Sequence, residues 1–163
     1  EKGERVVDLG AAPGSWSQLA ARIVGASGLV VAVDLDELPA LKPLKQVRTI
    51  TGDIYEERII AEIAADAPYD AVISDAAPRT SGNRSLDTAR SAALVEHVLA
   101  LCPGVLRPGG SLVAKLFQGG EEQELLQEAK RRFAAGRLIK PKASRSESFE
   151  TFLVGQGFSG IEQ

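Results

Sequence analysis

Lys115 stands in Leu112-Val113-Ala114-Lys115-Leu116-Phe117, a run that otherwise reads as a buried strand. Burying a lone ammonium is costly, so this lysine must reach the strand's end or meet an acid. Acids occupy comparable places elsewhere. Asp8, Asp34, Asp53 and Asp75 end or follow short apolar runs, and Glu150 comes just before the last one. A lysine sheltered among carboxylates can take and give protons. Taken singly, each has a plainer reading, a lysine that snorkels to solvent or an acid that caps a helix. Four acids at the ends of four successive strands are hard to dismiss as caps.

The first acid leads into Asp8-Leu9-Gly10-Ala11-Ala12-Pro13-Gly14-Ser15-Trp16. In an open α/β sheet the first strand-to-helix turn is where a nucleotide-like ligand lies against backbone N–H groups. Here Gly10 and Gly14 give G-x-x-x-G, not the dinucleotide G-x-G-x-x-G, and Ala12 holds the place of the glycine that admits a pyrophosphate. A ligand with an adenosine part and no pyrophosphate fits better, and S-adenosylmethionine is the obvious one. A mere strand–turn–helix packing corner is the alternative. Asp34 lies 24 residues after Gly10, where an acid can accept from ribose hydroxyls; Asp53 is placed to meet an adenine amino group.

These residues need a sheet that gathers strand ends. Strand-like runs cover Arg5–Leu9, Leu29–Asp34, Val47–Thr51, Tyr69–Ser74, and residues 111–116, 137–139 and 151–155. The early ones are short, aliphatic and without polar alternation, as in a parallel sheet covered on both faces. Helical periodicity covers residues 16–24 and 56–65. A third helix, from Asp87, carries a face of Leu94, Val95, Val98, Leu101, Cys102 and Val105. Pro103-Gly104 should break or bend this helix. A fourth helix over residues 121–134 shows Leu125, Leu126, Ala129 and Phe133, and Arg107-Pro108-Gly109-Gly110 reads as a turn. The expectation is a single α/β domain, a mostly parallel seven-stranded doubly wound sheet closed by an antiparallel pair.

The 163 residues, 44% hydrophobic and 25% charged, are those of an ordinary globular chain, with no apolar run of membrane-spanning length. Cys102 is the single cysteine, which excludes an internal disulfide or a cysteine metal site and agrees with a reducing cytoplasm. The net charge of −3 averages two unlike parts. Residues 1–78 hold 7 Lys/Arg against 13 Asp/Glu, for −6, and residues 79–163 hold 12 against 9, for +3. Arg79, Arg84 and Arg90, then Lys130, Arg131, Arg132, Arg137, Lys140, Lys142 and Arg145, permit a local basic face on an acidic protein.

The segments at residues 6–16 (VVDLGAAPGSW), 74–78 (SDAAP), Ser81-Gly82, 106–110 (LRPGG), 115–119 (KLFQG) and 150–154 (ETFLV) occur in this order along nearly the whole chain. In that combination the chain resembles the FtsJ/RrmJ family of RNA ribose 2′-O-methyltransferases. The resemblance implies a Rossmann-like class I fold. It implies S-adenosylmethionine held by Gly14, Trp16, Asp34, Asp53 and Asp75, with Gly10 in the same turn. Asp75, Lys115 and Glu150 match three of the family's four catalytic residues. The implied partner is large-subunit ribosomal RNA, free or within the subunit, with a uridine as target. The implied protein is a cytoplasmic monomer without a membrane. The family's first catalytic lysine precedes the first strand by a helix, and Lys2 is too near that strand to be it. An N-terminally shortened domain that binds cofactor and transfers methyl poorly is the resulting expectation.

A ribose hydroxyl is a weak nucleophile, so a base or firm orientation is needed, and no metal is required. The 2′-hydroxyl makes RNA, not DNA, the substrate. Two rivals share the sheet: a methyltransferase for another substrate, and a non-catalytic cofactor- or RNA-binding module. Against a base methyltransferase, Asp75-Ala76-Ala77-Pro78 offers no aromatic to stack an extruded base.

Overall fold

The computed structural model describes residues 1–141 and 149–160. Lys142 and Arg145 of the basic cluster lie outside the described residues. In chain order the elements are β1 (Arg5–Leu9), α1 (Ser15–Val24), β2 (Leu29–Asp34), β3 (Val47–Thr51), α2 (Glu57–Ala64), β4 (Tyr69–Ser74), α3 (Arg84–Val105), β5 (Leu106–Phe117), α4 (Glu122–Arg132), β6 (Phe133–Ile139) and β7 (Glu150–Phe158). They form one sheet of order β3-β2-β1-β4-β5-β7-β6. The pairs from β3 to β5 are parallel, and β7 lies antiparallel to both β5 and β6.

Strand alternation sorts the side chains to two faces. Val7, Leu9, Val31, Val33 and Val72 pack with Ile59 and Ile63 of α2, Val95, Val98 and Leu99 of α3, and Leu125 of α4. Val6 and Val30 turn the other way, against Ala20, Ala21 and Val24 of α1. Both faces are covered, so the strands need no polar residues until their ends, as the expected doubly wound sheet requires. Cys102 is fully buried in the larger cluster, where desolvation pushes its thiol up to about 12. No described helix is long and apolar enough to cross a membrane.

Pro103 does not break α3, which runs on to Val105, the end of its expected apolar face. The Leu99 carbonyl, left without its usual donor by the missing Pro103 N–H, accepts from Arg132 Nη1 at 2.9 Å. Arg107-Pro108-Gly109-Gly110 is not a turn outside the sheet. β5 already pairs at Leu106↔Tyr69, and a register shift absorbs the Pro-Gly-Gly excursion before Ser111↔Ala71. Phe133 belongs to β6, opposite Phe158, not to the fourth helix; β pairing overrides its helical spacing there. Glu150 does not precede the last strand but opens it, opposite Phe117.

Candidate active site

The strand order reverses between β1 and β4, and the turn after β1 lies at that point. Gly10 sits at φ +75°, and a Cβ on it would come within 2.5 Å of Ala76 Cα, so only glycine lets the turn and the segment after β4 meet. Gly14 caps α1 at φ +110° with no side-chain cap, and its missing Cβ leaves room for Leu41 at 3.0 Å. The first turn of α1 holds no acid and its N-cap makes no side-chain hydrogen bond.

Backbone donors orient the acids on this side. Asp34 accepts the N–H of Ala12 at 2.8 Å and of Asp36 at 3.0 Å, and Asp53 accepts that of Tyr55 at 3.0 Å. Asp8 differs from the other strand-end acids, being fully buried. Ser17 Oγ donates to its Oδ2 at 2.6 Å, while Oδ1 has no partner among the described residues. Desolvation, which the Ser17 bond offsets only in part, and then the charges of Asp75 and Asp34 push the Asp8 carboxyl up to about 6.

Lys115 meets one acid just after β4 and one that opens β7. Its Nζ lies 3.0 Å from Asp75 Oδ1 and 3.9 Å from Glu150 Oε1. Its side chain is 13% exposed against 35% for Asp75 and 45% for Glu150, so the cation is sheltered and the carboxylates reach solvent. The β5–β7 register sets Lys115 opposite Phe152 and Phe117 opposite Glu150, which brings together residues 35 apart in sequence. The Phe117 N–H donates to Ser91 Oγ at 3.0 Å and pins the end of β5 to α3.

A cleft of about 700 Å³ joins the two sets of acids, lined by Gly10, Asp34, Asp53, Asp75 and Lys115. That volume suits a ligand of nucleoside size. A smaller recess of about 250 Å³ opens beside it at Gly10, Asp75 and Trp16. The structure thus gathers Gly10, Asp34, Asp53, Asp75 and Lys115 around the cleft and sets Glu150 beside Lys115. Trp16 lies at the recess, stacked on Phe152 with 5.6 Å between ring centroids.

Sequence reasoning missed the cleft wall at Ile54 and Tyr55. His97 of α3 holds it, donating Nε2–H to the Ile54 carbonyl at 2.9 Å and stacking on Tyr55 at 4.1 Å. Ile54 was findable as the neighbour of Asp53. Nothing local in the sequence marks His97, which reaches this wall only through tertiary packing.

The sequence model described as FtsJ-like methyltransferase matches residues 1–158. A curated protein of Treponema denticola, named ribosomal RNA large subunit methyltransferase E, is 45% identical over 157 residues, covering 96% of this chain and 79% of its own length. A crystal structure described as a ribosomal RNA methyltransferase from Plasmodium falciparum superposes with TM-score 0.84 at 25% identity, over 99% of this chain and 90% of that one. Aeropyrum pernix fibrillarin, solved with natively bound S-adenosyl-L-methionine, shares the fold at TM-score 0.69 and 13% identity, over 95% of this chain and 67% of that one.

Proposed function

The chain belongs to the FtsJ-like methyltransferase family, and from that premise we propose that it methylates a ribose 2′-hydroxyl of large-subunit ribosomal RNA with S-adenosylmethionine as donor. The observation that carries this reading is Lys115 Nζ, held between Asp75 at 3.0 Å and Glu150 at 3.9 Å on the wall of the cleft that the Gly10 turn floors.

The residues present fit the donor. Gly10 lets the turn after β1 pack close to Ala76 on the cleft floor, and the cleft acids Asp34, Asp53 and Asp75, with the unpartnered Asp8 Oδ1 buried behind them, favour a cationic ligand with an adenosine part. Asp34 would accept the ribose hydroxyls and Asp53 the adenine amine, while Trp16 and Asp75 would bound the recess beside Gly10. When bound, the donor supplies an electrophilic methyl on a sulfonium sulfur.

The chain's own part is to orient the hydroxyl and move its proton. Asp75 and Glu150 hold two of the directions around Lys115 Nζ, which leaves one for the substrate oxygen. In its amine form Nζ would take the proton that the hydroxyl gives up as the methyl passes from sulfur to oxygen. The resulting ammonium is stabilised by both carboxylates, so these acids favour the charge that develops. Alignment of the hydroxyl by this trio contributes the rest.

The test is transfer of labelled methyl to ribosomal RNA and to the large subunit, followed by alkaline hydrolysis. A labelled linkage that resists hydrolysis is the expected product, because a 2′-O-methyl group removes the internal nucleophile. Label on a base, or none on RNA while donor still binds, would sink the reading.

A further inference from the structure

Many basic side chains away from the cleft are paired with carboxylates. Arg48 pairs with Glu62 and Asp66, Arg58 with Glu56 and Glu62, Arg107 with Asp70, and Arg131 and Arg132 with Glu128. Beside Lys115 and Glu150 they are not. Among the described residues no carboxylate lies within 4.0 Å of Arg84 or Lys140.

Arg84 is the informative one. Asp87, its neighbour one turn on, is turned away: its Oδ1 accepts the Ser81 N–H at 2.8 Å and the Ser81 hydroxyl at 2.7 Å, bonds that hold its carboxyl below the usual range. The exposed Arg84 guanidinium lies instead over the Phe149 ring, 5.4 Å from its centroid. A ring face attracts the cation but leaves the N–H edge of the fork free. That edge matches two oxygens of a phosphate.

The stack adjoins the proposed reaction centre. Phe149 precedes Glu150 and meets Phe117 edge-on at 4.8 Å. Its carbonyl accepts the Gln118 N–H at 2.7 Å, and Gln118 Oε1 lies 3.5 Å from Lys140 Nζ. Arg84, Phe149, Gln118 and Lys140 are therefore linked contact by contact, one residue away from the carboxylate that faces Lys115.

We propose that Arg84, set over the Phe149 ring, and Lys140 beside Gln118 form a docking surface for the phosphodiester backbone of the RNA strand flanking the methylated ribose. The inference rests on the reading of the cleft as an RNA ribose methyltransferase site. It adds where the strand runs: out of the cleft over β7's first residue and the start of α3.

The experiment is binding of transcribed large-subunit ribosomal RNA over a salt series, with methyl-transfer kinetics alongside, for the chain and for Arg84→Ala, Arg84→Lys and Phe149→Leu. Arg84→Ala should weaken RNA binding about tenfold and reduce the slope of log affinity against log salt by about one. The RNA KM should rise by the same factor, with kcat and donor affinity unchanged. Arg84→Lys should keep the slope and lose part of the affinity, and Phe149→Leu should lose affinity without altering the slope. Wild-type affinity and slope in Arg84→Ala, with methyl transfer intact, would overturn the docking surface alone. So would a fall in kcat at unchanged KM. A wild-type chain that neither binds nor methylates this RNA would remove the RNA reading and the docking surface together.

Discussion

The two sides of the cleft are built by different means. On the β1–β3 side, acids are fixed by the main chain: Asp34 by two N–H groups, Asp53 by one. On the β4–β5–β7 side, Lys115 is fixed by two side chains, Asp75 just after β4 and Glu150 at the start of β7. A main-chain arrangement suits recognition of one unvarying ligand, since the donors cannot be lost by substitution. A side-chain arrangement suits proton handling, since its charges can change during a turnover. Asp8 stands at the joint, buried within reach of the charges of both Asp34 and Asp75.

The largest expected break separates the sides at Lys115. Lys115→Met should lower single-turnover methyl transfer on the order of 10³-fold while calorimetry finds donor affinity within a few-fold of wild type. An unfolded variant, or normal transfer, would assign Lys115 a structural role.

The joint should show itself in pH. Asp8 is easier to protonate folded than unfolded, so the folded state binds more protons and stability falls as pH rises through about 6. Asp8→Asn keeps an acceptor for Ser17 and removes the charge. Its advantage in denaturant unfolding should be near zero below pH 4 and grow to about 3 kcal/mol above pH 7. A pH-independent difference would mean that Asp8 does not titrate in this range.

Asp34→Ala tests the main-chain side. Losing charge-assisted hydrogen bonds should weaken donor binding by about 1.5–3 kcal/mol in calorimetry, while RNA affinity holds. Unchanged donor affinity would take Asp34 out of the site. The smallest effect belongs to Glu150→Gln, which keeps a partner beside Lys115 and deletes one of its two charges. Asp75 is nearer by 0.9 Å and remains, so the rate should drop only about tenfold. A loss as deep as that of Lys115→Met would make Glu150, not Lys115, the proton acceptor.

The two sides also differed in how far the sequence disclosed them. The turn at residues 10–16 and its following acids were legible because strand, glycines and acid are contiguous, and parallel β1–β2 pairing sets Asp34 beside the turn without further choice. Lys115 was legible as an anomaly, a charge in an apolar run. Its partners were not fixed by local pattern, because the approach of Glu150 depends on antiparallel register over 35 residues of chain. The same long-range pairing claimed Phe133 for β6 although its spacing fitted a helix. The donor that compensates for the missing Pro103 N–H was hidden for a related reason, since it is Arg132 on another helix.

The place of β7 has a consequence for how the molecule comes into being. It is the last of the seven strands in chain order, yet it lies inside the sheet, between β5 and β6. Until residues 150–158 have been synthesised, β5 and β6 each present an open edge to whatever strand is near. During translation the β1–β5 platform can assemble with its main-chain acids in place, while Lys115 still lacks Glu150. The strand that closes the sheet also delivers that carboxylate, so a chain interrupted before residue 150 leaves behind a ledge of acids and no finished trio. Closure of the sheet and assembly of the Asp75–Lys115–Glu150 trio are, in this topology, one event.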